Sequence, residues 1–303
     1  MNGVKTLISI ATPLTLILAY AFSYLGCLVG LIATARARRS SKGSRGRWLV
    51  MGAFAIGGTG IWVMHFMAII GVQVPGSEIR FDVSITAASF LLAVLAVGVG
   101  LFIVGYGDRP GAVRVIAAGA LTGTSVAGMH YTGVAGMRMD ATVHYNVVRV
   151  VLSVVIAVVA ATVALWFTVT LSRARWIAVA AAIMGVAVTG MHYTGMSAMQ
   201  VHLLTTPKAL HGISALDFVP PILVFVLLGS IVLAYALLIE PANDERPPAP
   251  PTTPGRDGAG FAGSLPDRRD HVIFPTQRPT SGASGSLFDP LARHNQPPTH
   301  RPR

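Results

Sequence analysis

Three segments of this 303-residue sequence set a histidine beside methionine: Gly60-Ile61-Trp62-Val63-Met64-His65-Phe66-Met67, Gly128-Met129-His130-Tyr131-Thr132-Gly133 and Gly190-Met191-His192-Tyr193-Thr194-Gly195-Met196. At this composition about 0.02 Met-His-aromatic triplets are expected by chance. Three occur, with the histidines 65 and 62 residues apart, so the segments are copies of one repeat. Eight of the eleven methionines lie close to a motif histidine: Met64, Met67, Met129, Met137, Met139, Met191, Met196 and Met199. Imidazole nitrogen with thioether sulfur is a ligand set for copper, Cu(I) above all, whereas hard ions such as Mg²⁺ take oxygen. Haem is the second option, because two histidines on facing helices can hold iron axially. On a helix His192, Met196 and Met199 share one face, as do His130 and Met137. A plainer reading stands beside this one: each histidine hydrogen-bonds a neighbouring helix, and the methionines fill an irregular core.

The elements that must carry these residues are membrane helices. Hydrophobic residues make up 53% of the chain and charged residues 12%, about half the charged share of a soluble domain. Seven apolar stretches near 10–33, 48–70, 83–106, 115–137, 148–170, 176–199 and 218–239 are long enough to cross a bilayer as helices. The first is too long for a signal-peptide core and reads as a retained span. The fold class is therefore all-α integral membrane, with three repeated helix pairs plus one further helix. Loops at 35–47, 109–114 and 173–175 carry ten Lys and Arg, and the opposite side carries five. The positive-inside rule then places the N-terminus outside and the C-terminus in the cytoplasm of a multi-pass protein of the bacterial cell membrane.

The histidines fall 15 to 17 residues into spans 2, 4 and 6, which run in the same direction. At 1.5 Å per residue they share a layer about 22–26 Å above the inner boundary. The only Lys, Arg, Asp or Glu within the spans is Arg149, at an edge. The three imidazoles are thus the most polar ionisable groups in lipid, and such groups face the bundle interior and serve a function. The glycines at 58, 60, 128, 133, 136, 190 and 195 suit close helix contact.

Met-His-Tyr triplets at the outer ends of alternate spans resemble the MHYT family of bacterial integral membrane sensor domains, over residues 8–240. The second and third copies carry Gly-Met-His-Tyr-Thr-Gly; the first has Phe66 for tyrosine and Ala68 for glycine. The resemblance implies a copper site formed by His65, His130 and His192, through which the domain senses a diatomic gas (oxygen, carbon monoxide or nitric oxide). The neighbouring Met64, Met129, Met191, Met67, Met137, Met196 and Met199 are the candidate thioether ligands. Phe66, Tyr131 and Tyr193 stand behind the histidines, where a tyrosine either anchors at the membrane interface or orients a ring. Family members often carry cyclic-dinucleotide enzyme domains, which this sequence lacks, so the expected output is an unknown cytoplasmic signalling partner.

The remaining sequence narrows the alternatives. Residues 241–303 hold 13 of the 19 prolines and form an expected disordered Pro/Gly/Arg-rich tail. Its net charge is only +2, and the other basic residues are explained by topology, so nucleic acid is not an expected partner. Cys27 is a single cysteine and offers no disulfide, CxxC or CxxCH motif. His144, His202 and His211 fall in outer loops with no repeating spacing. No catalytic triad or phosphate loop marks an enzyme. A metal-ion or small-solute transporter or channel is the alternative function. Against it stands the lack of carboxylates within the spans for ion coupling.

Overall fold

In the computed structural model, residues 12–106, 110–204 and 211–214 are described, with isolated positions beyond them as far as Tyr235. Among the described residues, six helices are long and apolar enough to cross a membrane: α1 Pro13–Arg39, α2 Lys42–Ile70, α3 Val83–Gly105, α4 Ala112–Ala135, α5 Val147–Thr170 and α6 Ala174–Ser197. The expected span at 218–239 and the tail at 241–303 lie outside the described residues.

Local chemistry fixes the helix ends. Thr12 caps α1: its hydroxyl accepts from the Thr15 N–H, the Thr15 hydroxyl accepts from the Thr12 N–H, and Pro13 opens the first turn. Asp82 caps α3 by accepting from the Ser84 and Ile85 N–H groups. Asn146 caps α5 by accepting from the Arg149 N–H. The basic run expected as a loop at 35–47 is largely helical. Only Ser40 and Ser41 separate α1 from α2, because Arg and Lys are good helix formers and Arg36, Arg38 and Arg39 complement the negative end of the α1 dipole.

The helices pack in chain order as a closed ring, with α1 returning against α6. Among the described spans, α2 is the most buried, at 83%, and α5 the least, at 17%. Val148, Val151, Leu152, Val155 and Val159 of α5 and Leu91, Leu95 and Val99 of α3 project outward. Such apolar surface is stable only against lipid or another helix. Glycine permits the closest crossing: a Cβ on Gly26 of α1 would lie 2.2 Å from the Gly60 nitrogen of α2. Across Phe54–Val63 the α2 backbone winds as a π-helix before Met64 resumes the α-helical turn. π-Turns are usually single bulges and gather at functional sites.

The histidine ends of α2, α4 and α6 are covered by short strands, a departure from a purely helical reading. β1 (Arg80–Phe81) pairs antiparallel with β2 (Met137–Arg138) and with β5 (Ile213–Ser214), while β3 (Ala141–Tyr145) pairs antiparallel with β4 (Met199–Leu203). The strand segments interlock the repeats. The Asp82 N–H donates to the Gly136 carbonyl and the Asn146 N–H donates to the Ala198 carbonyl, so one contact recurs one repeat further on.

Candidate metal centre

Each motif histidine lies five residues before the end of its helix, at His65 in α2, His130 in α4 and His192 in α6. All three are 1% exposed. Ring centroids stand 5.0 Å apart for His65–His130 and His65–His192, and 5.1 Å apart for His130–His192, with planes at 74–88°. Three imidazoles from three helices therefore meet in one triangle, as the common depth predicts. Their Nδ1 atoms face one another: His65 to His192 at 3.0 Å and His130 to His65 at 3.2 Å.

This geometry constrains the protons. A neutral imidazole has one N–H and one lone pair. His65 Nδ1 touches two other Nδ1 atoms and cannot give each a full, well-directed hydrogen bond. A single cation accepting all three lone pairs removes the conflict and sends the three protons to Nε2. An ion about 2.0–2.1 Å from each nitrogen sets them about 3.3–3.6 Å apart, so the two contacts at His65 need only a few tenths of an ångström of opening. The residues thus fit a metal. The described residues place no carboxylate among the ligand atoms.

The outward edges of the rings explain a different part of the motif. The Nε2 atoms of all three are buried and have no hydrogen-bond partner among the described residues. A Cβ on Gly133 would lie 2.3 Å from His65 Nε2, and one on Gly195 would lie 2.3 Å from His130 Nε2. The glycine three residues after His130, and the one three residues after His192, is therefore the seat of the preceding repeat's imidazole. Gly60 does serve helix contact, against Gly26 and Cys27, whereas Gly190 has open space where a side chain would go. The motif glycines, expected alike to serve helix contact, thus have separate roles.

The aromatic residue after each histidine stacks edge-on against it: Phe66 at 5.0 Å, Tyr131 at 4.8 Å and Tyr193 at 5.0 Å between centroids. The Tyr131 hydroxyl pairs with Ser153 Oγ of α5 at 2.7 Å rather than with a histidine. In the first repeat, where Phe66 has no hydroxyl, Trp62 Nε1 donates to the corresponding serine, Ser89, at 3.0 Å. Tyr145 packs edge-on over Tyr131, and burial, then Tyr131, pushes its phenol above the usual range.

The methionines Met64, Met67, Met129, Met137, Met191, Met196 and Met199 are all buried. The helical-face argument holds for Met196, which lies in α6, but not for Met137 and Met199. Those two lie in β2 and β4, because α4 and α6 end at Ala135 and Ser197. Met191 lines, with Met184, Ile61 and Val126, an apolar cavity of about 50 Å³. Outside the centre, β3 and β4 bring His144 and His202 to 5.7 Å between ring centroids, a pairing that no regular spacing had signalled.

Apolar spans around a closed trio of buried histidines define a multi-pass membrane protein with a candidate metal centre. Residues 58–118, 123–181 and 185–242 each match MHYT, described as "Bacterial signalling protein N terminal repeat", and the chain belongs to that family. Each matched unit starts at or just ahead of a histidine motif, and the first two continue through the next helix. The unit is thus a histidine helix with its follower, α2–α3 and α4–α5, which shifts the expected pairing by one helix. The chain is 36% identical over 195 residues to the bifunctional diguanylate cyclase/cyclic di-GMP phosphodiesterase MucR of Pseudomonas aeruginosa, covering 62% of this chain and 27% of that protein. It is 35% identical to the cyclic di-GMP phosphodiesterase NbdA of the same organism, covering 60% and 24%, and 30% identical to an uncharacterized signaling protein of Caulobacter vibrioides, covering 58% and 22%. The matched region spans about a quarter of the length of these curated relatives. No solved structure matches.

Proposed function

We propose that this protein is a sensor of the bacterial cytoplasmic membrane in which His65, His130 and His192 hold one copper ion through Nδ1. The single observation that carries the reading is the convergence of three Nδ1 atoms, at 3.0 and 3.2 Å from the central His65, inside a buried apolar bundle. Met64, Met67, Met129, Met191 and Met196 are the thioether candidates on the same helices, and Met137 and Met199 are candidates from the adjoining strands. Copper held by this set would supply reversible binding of a small neutral ligand such as oxygen, carbon monoxide or nitric oxide; haem iron fits less well, since three rings crowd one point. Gly133 and Gly195 seat the rings, and Phe66, Tyr131 and Tyr193 brace them. In this reading seven spans cross the bilayer, with the histidine end outside and the basic end at the cytoplasm. The output passes to a cytoplasmic signalling partner, and the named relatives point to cyclic di-GMP turnover. A ligand shifts the bundle only so far as it favours one arrangement over another.

The test is elemental analysis of the purified protein after growth with copper and iron, beside the triple variant His65→Ala, His130→Ala, His192→Ala. About one copper per chain in the native protein and none in the variant is expected. A native protein holding neither metal overturns the reading.

A further inference from the structure

At the opposite end of the bundle, α1, α2, α3 and α5 enclose a pocket of about 180 Å³ bordered by Arg38 and Arg45 together with Leu49, Leu101, Val104 and Val169. Both arginines are half-buried. Arg38 donates through one Nη to the Leu171 carbonyl, while its Nη1 is buried with no hydrogen-bond partner among the described residues. Arg45 spends its Nε on the Ala37 carbonyl at 3.2 Å. Neighbouring Arg36 is occupied elsewhere, its guanidinium 5.2 Å from the Trp48 ring centre. No carboxylate borders the pocket among the described residues. A buried guanidinium without a counter-charge is costly, and an arginine fork is the side chain best matched to phosphate oxygens.

We propose that this pocket binds a phosphate-bearing anion, with the head group on Arg38 and Arg45 and an apolar portion along Leu49, Leu101 and Val104. Basic pockets between membrane helices have this recognition chemistry for acidic lipids. The same two arginines would also take free phosphate, so the experiment separates the sources. The site is independent of the histidine centre, and metal content should be the same in every variant below.

The full chain in neutral detergent is titrated with phosphatidylglycerol, phosphatidylcholine, inorganic phosphate or pyrophosphate, and bound lipid is read by native mass spectrometry and Tm by thermal unfolding. Phosphatidylglycerol should bind and raise Tm where phosphatidylcholine does not. Arg38→Gln should weaken it by about tenfold, the loss of one charge-assisted hydrogen bond, with Arg45→Gln in the same direction. Arg38→Lys should recover part of the loss, which covers the case in which Arg38→Gln does not fold. Arg39→Gln, an exposed residue outside the pocket, should change nothing. Stabilisation by phosphate or pyrophosphate with the same arginine dependence supports the site with a soluble source. Equal response to both lipids together with none to phosphate overturns it, as does an equal loss in Arg39→Gln, which signals general surface attraction. Asp108 lies outside the described residues, so Asp108→Asn is included: anion binding that emerges only in that variant means the chain's own carboxylate fills the pocket, and also overturns the proposal.

Discussion

The Nε2 edge of His130 rests on Gly195, where an added methyl carbon would lie 2.3 Å from the ring nitrogen, and His65 rests on Gly133 in the same way. Each imidazole is thus held by the backbone of the next repeat's histidine helix. Gly133→Ala and Gly195→Ala should each destabilise the protein by about 1–3 kcal/mol, as overpacking of a close-packed site does, and should lower bound copper. Gly190→Ala meets open space and should be neutral or stabilising by up to about 1 kcal/mol through helix propensity. Denaturant unfolding and copper content of the three variants check the contrast.

His65 touches both of the other Nδ1 atoms. Copper should therefore raise the Tm of the native protein, an effect of about 2.7 kcal/mol at a hundredfold excess over Kd. His65→Ala should abolish that rise. Scanning calorimetry with and without copper reads both. A copper-induced rise that survives in the His65→Ala variant would place the ion elsewhere.

The Tyr131–Ser153 pair should be worth about 1 kcal/mol. Tyr131→Phe and Ser153→Ala should each cost that much, and the double variant should cost little more than either. A double-mutant cycle by chemical denaturation measures the coupling. Additive losses would show that the two hydroxyls act separately.

Asp82 links the start of α3 to β2 through Arg138, whose Nη2 donates to the carboxylate at 2.9 Å. That bond, with the backbone N–H groups of Ile85 and Ser84, holds the carboxyl below its usual range. A lowered value in the folded protein means a contribution complete above about pH 4 and lost as pH falls through the folded value. Arg138→Gln should lower stability above about pH 4 and shrink the further loss on acidification, so that native protein and variant converge at low pH. The effect should be small, because the pair is exposed. Tm measured across the acid range for the native protein and the variant checks the sign.

Much of this architecture could be read in the order of residues. Span positions follow from apolar length, and the meeting of His65, His130 and His192 follows from equal depth in helices of equal direction. The ends were harder to read. Helix α1 runs on through Arg36, Arg38 and Arg39 because charge at a membrane surface does not stop a helix, and β1 and β2 are two residues each, too short to leave a period. The seats at Gly133 and Gly195 were visible as glycines, but their partners lie one repeat away, which local pattern cannot show. The same distance hides the pairing of His144 with His202 and the pocket at Arg38.

The seating of His65 and His130 on the following repeat also sets when each ring gains its support during synthesis. His65 gains its support only when the segment around Gly133 has entered the bilayer, and His130 waits for Gly195. A nascent chain emerging from the insertion machinery would hold an open, incomplete cluster until the helix bearing residue 195 arrives, so any ion would enter at the last stage of assembly rather than at its nucleation.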